Sequence, residues 1–191
     1  MTPAVFLDRD GTLIEDVGYI GRVEQVAFYP WTVDAIRALN RAGLPVVVVT
    51  NQAGVARGYF TEAEVELVHR HVTSFVEAGG AYIDAYYYCP HHPDGSVAEY
   101  AIRCECRKPG PALVKRAARE LRLDPTQSFV VGDKWIDIGL ARAVGARGIL
   151  VRSGYGAAEE AHPRAGLDAD AVVDNLAAAV SWILGQLIRH P

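Results

Sequence analysis

The chain has 191 residues, of which 50% are hydrophobic and 22% charged, with a formal net charge of -4 at pH 7. This length and composition are typical of one globular domain and exclude a disordered or fibrous chain. The absence of a basic block disfavours nucleic acid as a partner. The N-terminus has neither a basic start nor a long apolar run, so we expect no signal peptide, no membrane span and a cytoplasmic location.

Strands and helices are predicted to alternate along the chain. Strands are predicted at Val5–Leu7, 46–50, 83–88, 129–133, Arg147–Val151 and 172–173. Helices are predicted at 32–42, 61–78, 111–121, 136–144 and 176–188. The second strand contains four consecutive valines without alternation, which is typical of a strand buried on both faces of a parallel sheet. Thr61 and Glu64 form a capping box at the start of the second helix.

This alternation predicts a doubly wound α/β domain with a mostly parallel sheet, spanning residues 1–191 with no second domain. Ligands of such sheets bind beyond the carboxyl ends of the strands. The residues predicted there are Asp8, Thr50, Cys89 and Asp133.

Three acids are predicted to meet at this edge. Asp8 and Asp10 follow the first strand, and Asp133 ends the fourth. Carboxylates held close together repel each other unless a cation lies between them, and Mg²⁺ prefers oxygen ligands of this kind. Taken singly, Asp8 and Asp10 are also compatible with turn positions, and Asp133 with a helix cap. As a set, they indicate a magnesium site.

A phosphoryl group at this site would need hydrogen-bond donors and positive charge. Thr50 and Asn51 leave the second strand, where both are able to donate. Lys108 precedes a helix that begins near Pro111, and a lysine beside a helix N-terminus favours an anion. We therefore predict that Thr50, Asn51 and Lys108 bind phosphate.

All three cysteines lie in a segment, residues 89–107, that has no helical or strand pattern. Together with one histidine they provide the four donors of a closed, structural zinc site: Cys89, His91, Cys104 and Cys106. His92 is an alternative to His91, although His91 repeats the one-residue spacing of the second cysteine pair. The remaining alternative is three ordinary thiols and two loop histidines.

Four ordered motifs resemble those of the haloacid dehalogenase superfamily. They are Asp8-x-Asp10-Gly-Thr, Thr50-Asn51, Lys108-Pro109 and Gly132-Asp133-x-x-x-Asp137. The resemblance implies that Asp8 is the nucleophile and that Asp10 acts as acid and then as base, as in the phosphatases of the superfamily. It also implies that Asp8, the backbone carbonyl of Asp10 and Asp133 bind Mg²⁺, with Asp137 outside the coordination sphere.

A longer set of motifs resembles one family of this superfamily, the D-glycero-D-manno-heptose 1,7-bisphosphate 7-phosphatases. The set adds Gly18-Tyr19, Thr50-Asn51-Gln52-Ala53-Gly54, Ala56-Arg57-Gly58, Cys89-Pro-His-His-Pro, Cys104-x-Cys106-Arg-Lys-Pro and Gly132-Asp133-Lys134. The resemblance implies removal of the C7 phosphate in the synthesis of nucleotide-activated heptose for bacterial lipopolysaccharide, and it implies the absence of a large cap domain. The substrate contacts that it implies are Asp16, Val17, Gly18, Tyr19, Gln52, Ala53, Arg107 and Lys134. Ala53 stands where the family usually has serine, which removes one hydroxyl contact.

Two other functions fit parts of the sequence. Some histidinol-phosphate phosphatases share the aspartate motif and a similar zinc loop, but Arg107 suits the second phosphate of a bisphosphate better than it suits an amine. A catalytically silent, zinc-stapled binding protein would have no use for two adjacent repelling acids. We therefore expect an enzyme that acts on a small phosphorylated sugar and, with its short open cap, is a monomer.

Overall fold

The computed structural model describes residues 1–189; the last two residues of the predicted 1–191 domain lie outside the described part. The strands are β1 (Val5–Leu7), β2 (Val46–Asn51), β3 (Ala85–Cys89), β4 (Phe129–Gly132), β5 (Arg147–Val151) and β6 (Ala171–Val173). The helices are α1 (Thr32–Arg41), α2 (Glu62–Ala78), α3 (Ala112–Leu121), α4 (Trp135–Val144), α5 (Gly156–Ala161) and α6 (Leu176–Arg189). Short 3-10 turns cover Val23–Gln25 and Pro125–Gln127.

The six strands form one parallel sheet in the order β3-β2-β1-β4-β5-β6. β1 lies at the centre, where Val5 is in register with Val46 on one side and Phe129 on the other. All four valines of β2 are buried, as expected for a strand with helices on both faces. The doubly wound α/β fold is therefore confirmed, with every strand pair parallel.

Because all strands run the same way, the residues that follow β1, β2, β3 and β4 meet at one edge of the sheet. The order reverses beside β1, since the chain moves outward through β2 and β3 and then returns to β4. This reversal opens the crevice in which doubly wound sheets bind ligands. The acids after β1 and β4 consequently lie side by side.

The predicted element bounds differ from the observed ones in a few places. β3 begins two residues later than predicted, after Asp84, which exchanges hydrogen bonds with Val46: its carboxylate accepts from the Val46 amide and its amide donates to the Val46 carbonyl. α5 was not predicted, since its six residues are mostly small or acidic and bury little apolar surface. No helix among the described residues is long and apolar enough to cross a bilayer.

Candidate active site

A cleft of about 340 Å³ opens at the carboxyl edge of the sheet. Twelve of the predicted site residues line it: Asp8, Asp10, Asp16, Gly18, Tyr19, Thr50, Asn51, Gln52, Ala53, Arg107, Lys108 and Lys134. Val17 is not among the lining residues and 57% of its surface is exposed, so the predicted contact there stays a prediction. Asp133 is fully buried beneath the cleft floor.

Lys108 joins Asp8 on the cleft floor to Asp137, which is buried outside the cleft lining. Its Nζ lies 2.9 Å from Asp8 Oδ1 and 2.7 Å from Asp137 Oδ1, and all three side chains are almost fully buried. Burial alone would raise the pKa of Asp8, but Lys108 and Lys134 hold it below its ordinary value. Burial raises the pKa of Asp137 to about 6 despite Lys108. Asp8 is therefore held as a carboxylate at the floor of the cleft, which is the state that a nucleophile requires.

Asn51 fixes the backbone of this lysine. Its Oδ1 accepts a hydrogen bond from the Lys108 amide at 2.9 Å, and its Nδ2 donates to the Lys108 carbonyl at 3.3 Å. Asn51 thus positions the Lys108 backbone, while the second N–H of its Nδ2 has no assigned partner among the described residues and its predicted donation to phosphate stays a prediction. The Thr50 hydroxyl accepts from Gln52 Nε2 at 2.9 Å, which leaves its own proton free to donate.

Asp133 has the environment of a cation ligand. Its Oδ2 accepts a hydrogen bond from the Tyr155 amide at 2.8 Å and lies 3.6 Å from Lys134 Nζ. Its Oδ1 has no hydrogen-bond partner within residues 1–189. Burial, reinforced by Asp8 and Asp137, raises the pKa of Asp133 to about 8 even though Lys134 lowers it. A bound divalent cation would satisfy the orphaned oxygen and stabilise the carboxylate.

The acids Asp8, Asp133 and Asp137 have carboxylate oxygens within 4.8 Å of one another. Both carboxylate oxygens of Asp137 have partners within the protein. Its Oδ1 contacts Lys108 Nζ, and its Oδ2 accepts a hydrogen bond from the Lys134 amide at 3.2 Å. This arrangement agrees with a place for Asp137 outside the coordination sphere. Asp8 and Asp133 remain as the carboxylates available to a metal.

Lys134 closes one wall of the cleft. Its Nζ donates to Asp16 Oδ2 at 2.7 Å and lies 4.6 Å from the centre of the Tyr155 ring. Burial opposes its charge, but Asp133, Asp8 and Asp16 together raise its pKa above the ordinary value. The Asp16 carboxylate is consequently paired with the Lys134 ammonium group.

Two buried side chains hold the Asp10 carboxylate on the side facing away from the cleft. Arg9 and Gln52 both donate to its carboxylate, while 14% of the Asp10 side chain stays exposed to the cleft. Gln52 is 3% exposed, and both ends of its side-chain amide are used within the protein. The Gln52 side chain therefore supports Asp10 and Thr50, and its predicted contact with substrate stays a prediction.

The structure brings together the four predicted zinc donors. The three Sγ atoms of Cys89, Cys104 and Cys106 lie 3.1 to 3.5 Å apart, and His91 Nδ1 lies 3.2 Å from Cys106 Sγ. A zinc ion with bonds of about 2.3 Å would hold tetrahedral sulfurs about 3.8 Å apart, so only a small expansion is needed. His92 instead accepts a hydrogen bond from the Asp94 amide.

This donor cluster fixes the segment that carries two of the cleft cations. Arg107 and Lys108 follow the last cysteine directly, and Arg107 Nη1 donates to the His91 carbonyl at 3.4 Å. The rest of the loop is tied to α2 through Glu62, which accepts hydrogen bonds from the Tyr88 and Tyr100 hydroxyls at 2.7 and 2.8 Å. The loop thereby determines where the Arg107 guanidinium lies at the cleft.

The segment after β5 contributes contacts that the sequence reasoning missed. Ser153 Oγ donates to the Gly11 carbonyl at 2.7 Å, and the Gly154 amide donates to the Tyr29 hydroxyl at 3.1 Å. Gly154 has φ +57, and a Cβ there would collide with the Asp133 carboxylate. The sequence signal that could have identified these residues is their position: they follow the carboxyl end of a strand, as the predicted site residues do.

Comparison with known proteins finds relatives along nearly the whole chain. The family model described as polynucleotide kinase 3 phosphatase matches residues 4–138, and a HAD-hydrolase-like model matches residues 105–179. A Yersinia pestis protein named D-glycero-beta-D-manno-heptose-1,7-bisphosphate 7-phosphatase is 42% identical over 99% of this chain and 93% of its own. The chain belongs to this heptose bisphosphate phosphatase family. It is thus a phosphatase of the haloacid dehalogenase superfamily.

Further members of the family also match over nine tenths or more of both chains. The Escherichia coli K12 protein of the same name is 42% identical over 92% of this chain and 90% of its own. A D,D-heptose 1,7-bisphosphate phosphatase from B. bronchiseptica, solved with magnesium and phosphate, superposes with a TM-score of 0.85 at 31% identity. That alignment covers 97% of this chain and 99% of the neighbour.

Proposed function

We propose that this phosphatase removes the C7 phosphate of D-glycero-beta-D-manno-heptose 1,7-bisphosphate, in the synthesis of nucleotide-activated heptose. The observation that carries the proposal is the pairing of two anion sites in one cleft. Asp8 and Lys108 form the reacting site on the floor, and Arg107 presents a second cation at the same cleft. Near full-length similarity to the heptose bisphosphate phosphatases supports the same substrate.

Each residue of the reacting site has a distinct task in this proposal. An Asp8 oxygen attacks phosphorus while Asp10 gives its proton to the departing sugar oxygen, which leaves an aspartyl-phosphate and a sugar alcohol. Asp10 then takes a proton from water, whose oxygen attacks phosphorus and releases Asp8 and inorganic phosphate. Lys108 and the Thr50 hydroxyl compensate the charge on the phosphoryl oxygens.

Magnesium is proposed as the catalytic cofactor. The Asp8 and Asp133 carboxylates and the Asp10 backbone carbonyl would hold it, and the orphaned Oδ1 of Asp133 supports that donor set. When bound, the ion supplies charge neutralisation at the phosphoryl group, so that an anionic carboxylate can approach it.

Zinc is proposed as a structural metal held by Cys89, His91, Cys104 and Cys106. Burial raises the pKa of the Cys89 thiol, so a thiolate there needs a cation beside it. All three cysteines are free thiols, which also suits a reducing compartment and the proposed cytoplasmic location. We further propose that residues 1–191 act as one domain and as a monomer, which size-exclusion chromatography with light scattering would test.

Histidinol phosphate is the substrate to exclude. Its amine would require an acid in the cleft, but Lys134 already neutralises Asp16 at 2.7 Å. A bisphosphate instead requires a second cation, which Arg107 provides. The charges at the cleft therefore favour a sugar bisphosphate over histidinol phosphate.

The test is phosphate release from heptose bisphosphate, histidinol phosphate and fructose bisphosphate with magnesium, in the wild-type and Asp8→Asn proteins. We expect heptose bisphosphate to give the highest kcat/KM, with ³¹P NMR showing loss of the C7 signal. Asp8→Asn should release no phosphate while keeping the wild-type circular dichroism spectrum. Preference for histidinol phosphate would reverse the choice of substrate, and turnover by Asp8→Asn would reject the nucleophile.

A further inference from the structure

Arg9 lies between the two acids that follow β1, yet it does not line the cleft. Its side chain is completely buried. The guanidinium meets the Asp10 carboxylate as a fork, with Nε 2.8 Å from Oδ1 and Nη2 3.1 Å from Oδ2. A bidentate pair of this kind fixes the plane of a carboxylate as well as its position.

Gln52 completes the support of Asp10. Its Oε1 accepts a hydrogen bond from Arg9 Nη2 at 3.0 Å, while its Nε2 donates to Asp10 Oδ2 at 3.0 Å and to Thr50 Oγ1 at 2.9 Å. The Asp10 carboxylate thus accepts three hydrogen bonds from two buried side chains. Only its exposed side faces the cleft, so its freedom to rotate is removed before any substrate arrives.

We infer that Arg9 is a positioning residue for proton transfer, holding the Asp10 carboxylate in line with the scissile oxygen and with the attacking water. The inference rests on the proposed function of Asp10. Proton transfer requires a heavy-atom distance of about 2.6–3.2 Å, and displacement of a catalytic group by about 1 Å can cost about 10²-fold in rate. Arg9 is too deep to touch the substrate and acts through Asp10.

The two chemical steps depend differently on Asp10, and this difference makes the inference testable. A sugar alkoxide is a poor leaving group and needs a proton as the P–O bond breaks. p-Nitrophenolate leaves as a stable anion and needs none. Hydrolysis of the aspartyl-phosphate needs Asp10 to take a proton from water, whichever substrate formed it. A misplaced Asp10 therefore slows both steps for the sugar but only the second step for p-nitrophenyl phosphate.

The experiment uses Arg9→Met and Arg9→Lys in the full chain, with Arg116→Met as the matched control. Arg116 pairs with Glu120 at 2.9 Å on the exposed side of α3, away from the cleft. Rapid-quench assays with p-nitrophenyl phosphate measure the burst of p-nitrophenol and the steady rate after it. Steady-state assays with the sugar bisphosphate give kcat and KM separately, and thermal melting reports folding.

With p-nitrophenyl phosphate, we expect Arg9→Met to release a burst of about one equivalent of p-nitrophenol per active site. The steady rate after the burst should be about 10²-fold below that of wild type. The sugar bisphosphate should lose kcat by a similar factor with KM within about twofold. Arg9→Lys should recover part of the rate, because an ammonium retains the charge but not the fork. Arg116→Met should match wild type.

Equal slowing of both steps with no burst would overturn the inference, since it would mean general damage to the site. Wild-type rates in Arg9→Lys and Arg9→Met would also overturn it. Should Arg9→Met not fold, Arg9→Lys alone decides between these outcomes. The proposed substrate is tested apart from this: if wild type hydrolyses p-nitrophenyl phosphate through Asp8 but not the heptose bisphosphate, the substrate is wrong and the Arg9 test still stands.

Discussion

His69 is a buried histidine whose protonation should set the acid stability of the protein. It lies on α2 with 7% of its surface exposed and stacks on the Tyr86 ring, with centroids 4.6 Å apart. Its Nε2 finds no hydrogen-bond partner in the described chain. Burial, and after it the positive charge of Arg9, lowers the pKa of His69 to about 3. The folded protein thus holds this imidazole neutral.

The sign of the pH effect follows from the unfolded state. There the histidine has a pKa of about 6.5, so below this pH the unfolded chain binds a proton that the folded chain refuses. The free energy of unfolding must fall as the pH drops from about 6.5 towards about 3. Each pH unit is worth about 1.4 kcal/mol, which gives about 2 kcal/mol lost between pH 7 and pH 5 and about 5 kcal/mol in all.

The assay compares His69→Phe with wild type by urea denaturation at pH 7 and pH 5, because phenylalanine keeps the stacking and cannot be protonated. Wild type should lose about 2 kcal/mol more than the variant between these two pH values. His71→Phe, at an exposed position of the same helix, is the matched control and should behave as wild type. Equal pH dependence in His69→Phe and wild type would refute the argument that a neutral, buried imidazole is maintained beside Arg9.

Three further substitutions test other parts of the molecule. Cys104→Ser should lower bound zinc, measured by mass spectrometry, from about one per chain and reduce the melting temperature, since a closed site needs all four donors; full zinc in the variant would reject the cluster. Asp10→Asn should lower the free energy of unfolding, measured with urea, by about 3–5 kcal/mol because it leaves the buried Arg9 charge without its carboxylate. Asp8→Asn should lower it less, because Lys108 keeps its contact with Asp137. Equal losses in the two variants would contradict this. Gly154→Ala should lower the free energy of unfolding by about 1–3 kcal/mol, because its Cβ would collide with the carboxylate of Asp133. It should also weaken magnesium binding, measured by calorimetry; wild-type magnesium affinity would reject a role for Gly154 in placing that carboxylate.

The fold was predictable because several independent signals agreed. Unbroken valine runs, capping residues and alternating element types all favoured a parallel doubly wound sheet, and the topology follows from right-handed crossovers. The edge at which the acids meet follows from strand direction alone. α5 was missed because a six-residue helix of small and acidic residues has no apolar periodicity to detect.

The direction of side chains at that edge was less predictable. Asn51 and Gln52 are adjacent amides after the same strand, and sequence position alone gave both a role in binding substrate. In the structure Asn51 turns to the Lys108 backbone and Gln52 to Asp10, because each amide has buried polar groups to satisfy there. These partners are 57 and 42 residues away along the chain, a separation at which local patterns carry no information.

The Asp-Arg-Asp order after β1 has a geometric reason. Arg9 lies in a bend just past β1, where its carbonyl accepts hydrogen bonds from the Leu13 and Ile14 amides. Asp8 and Asp10 line the cleft, and Arg9 is buried behind it. A buried cation must be paired, and only a guanidinium can reach back to bond both oxygens of Asp10 and the Gln52 amide at once. The residue between the two acids, buried away from the cleft, is thereby the one placed to support the second of them.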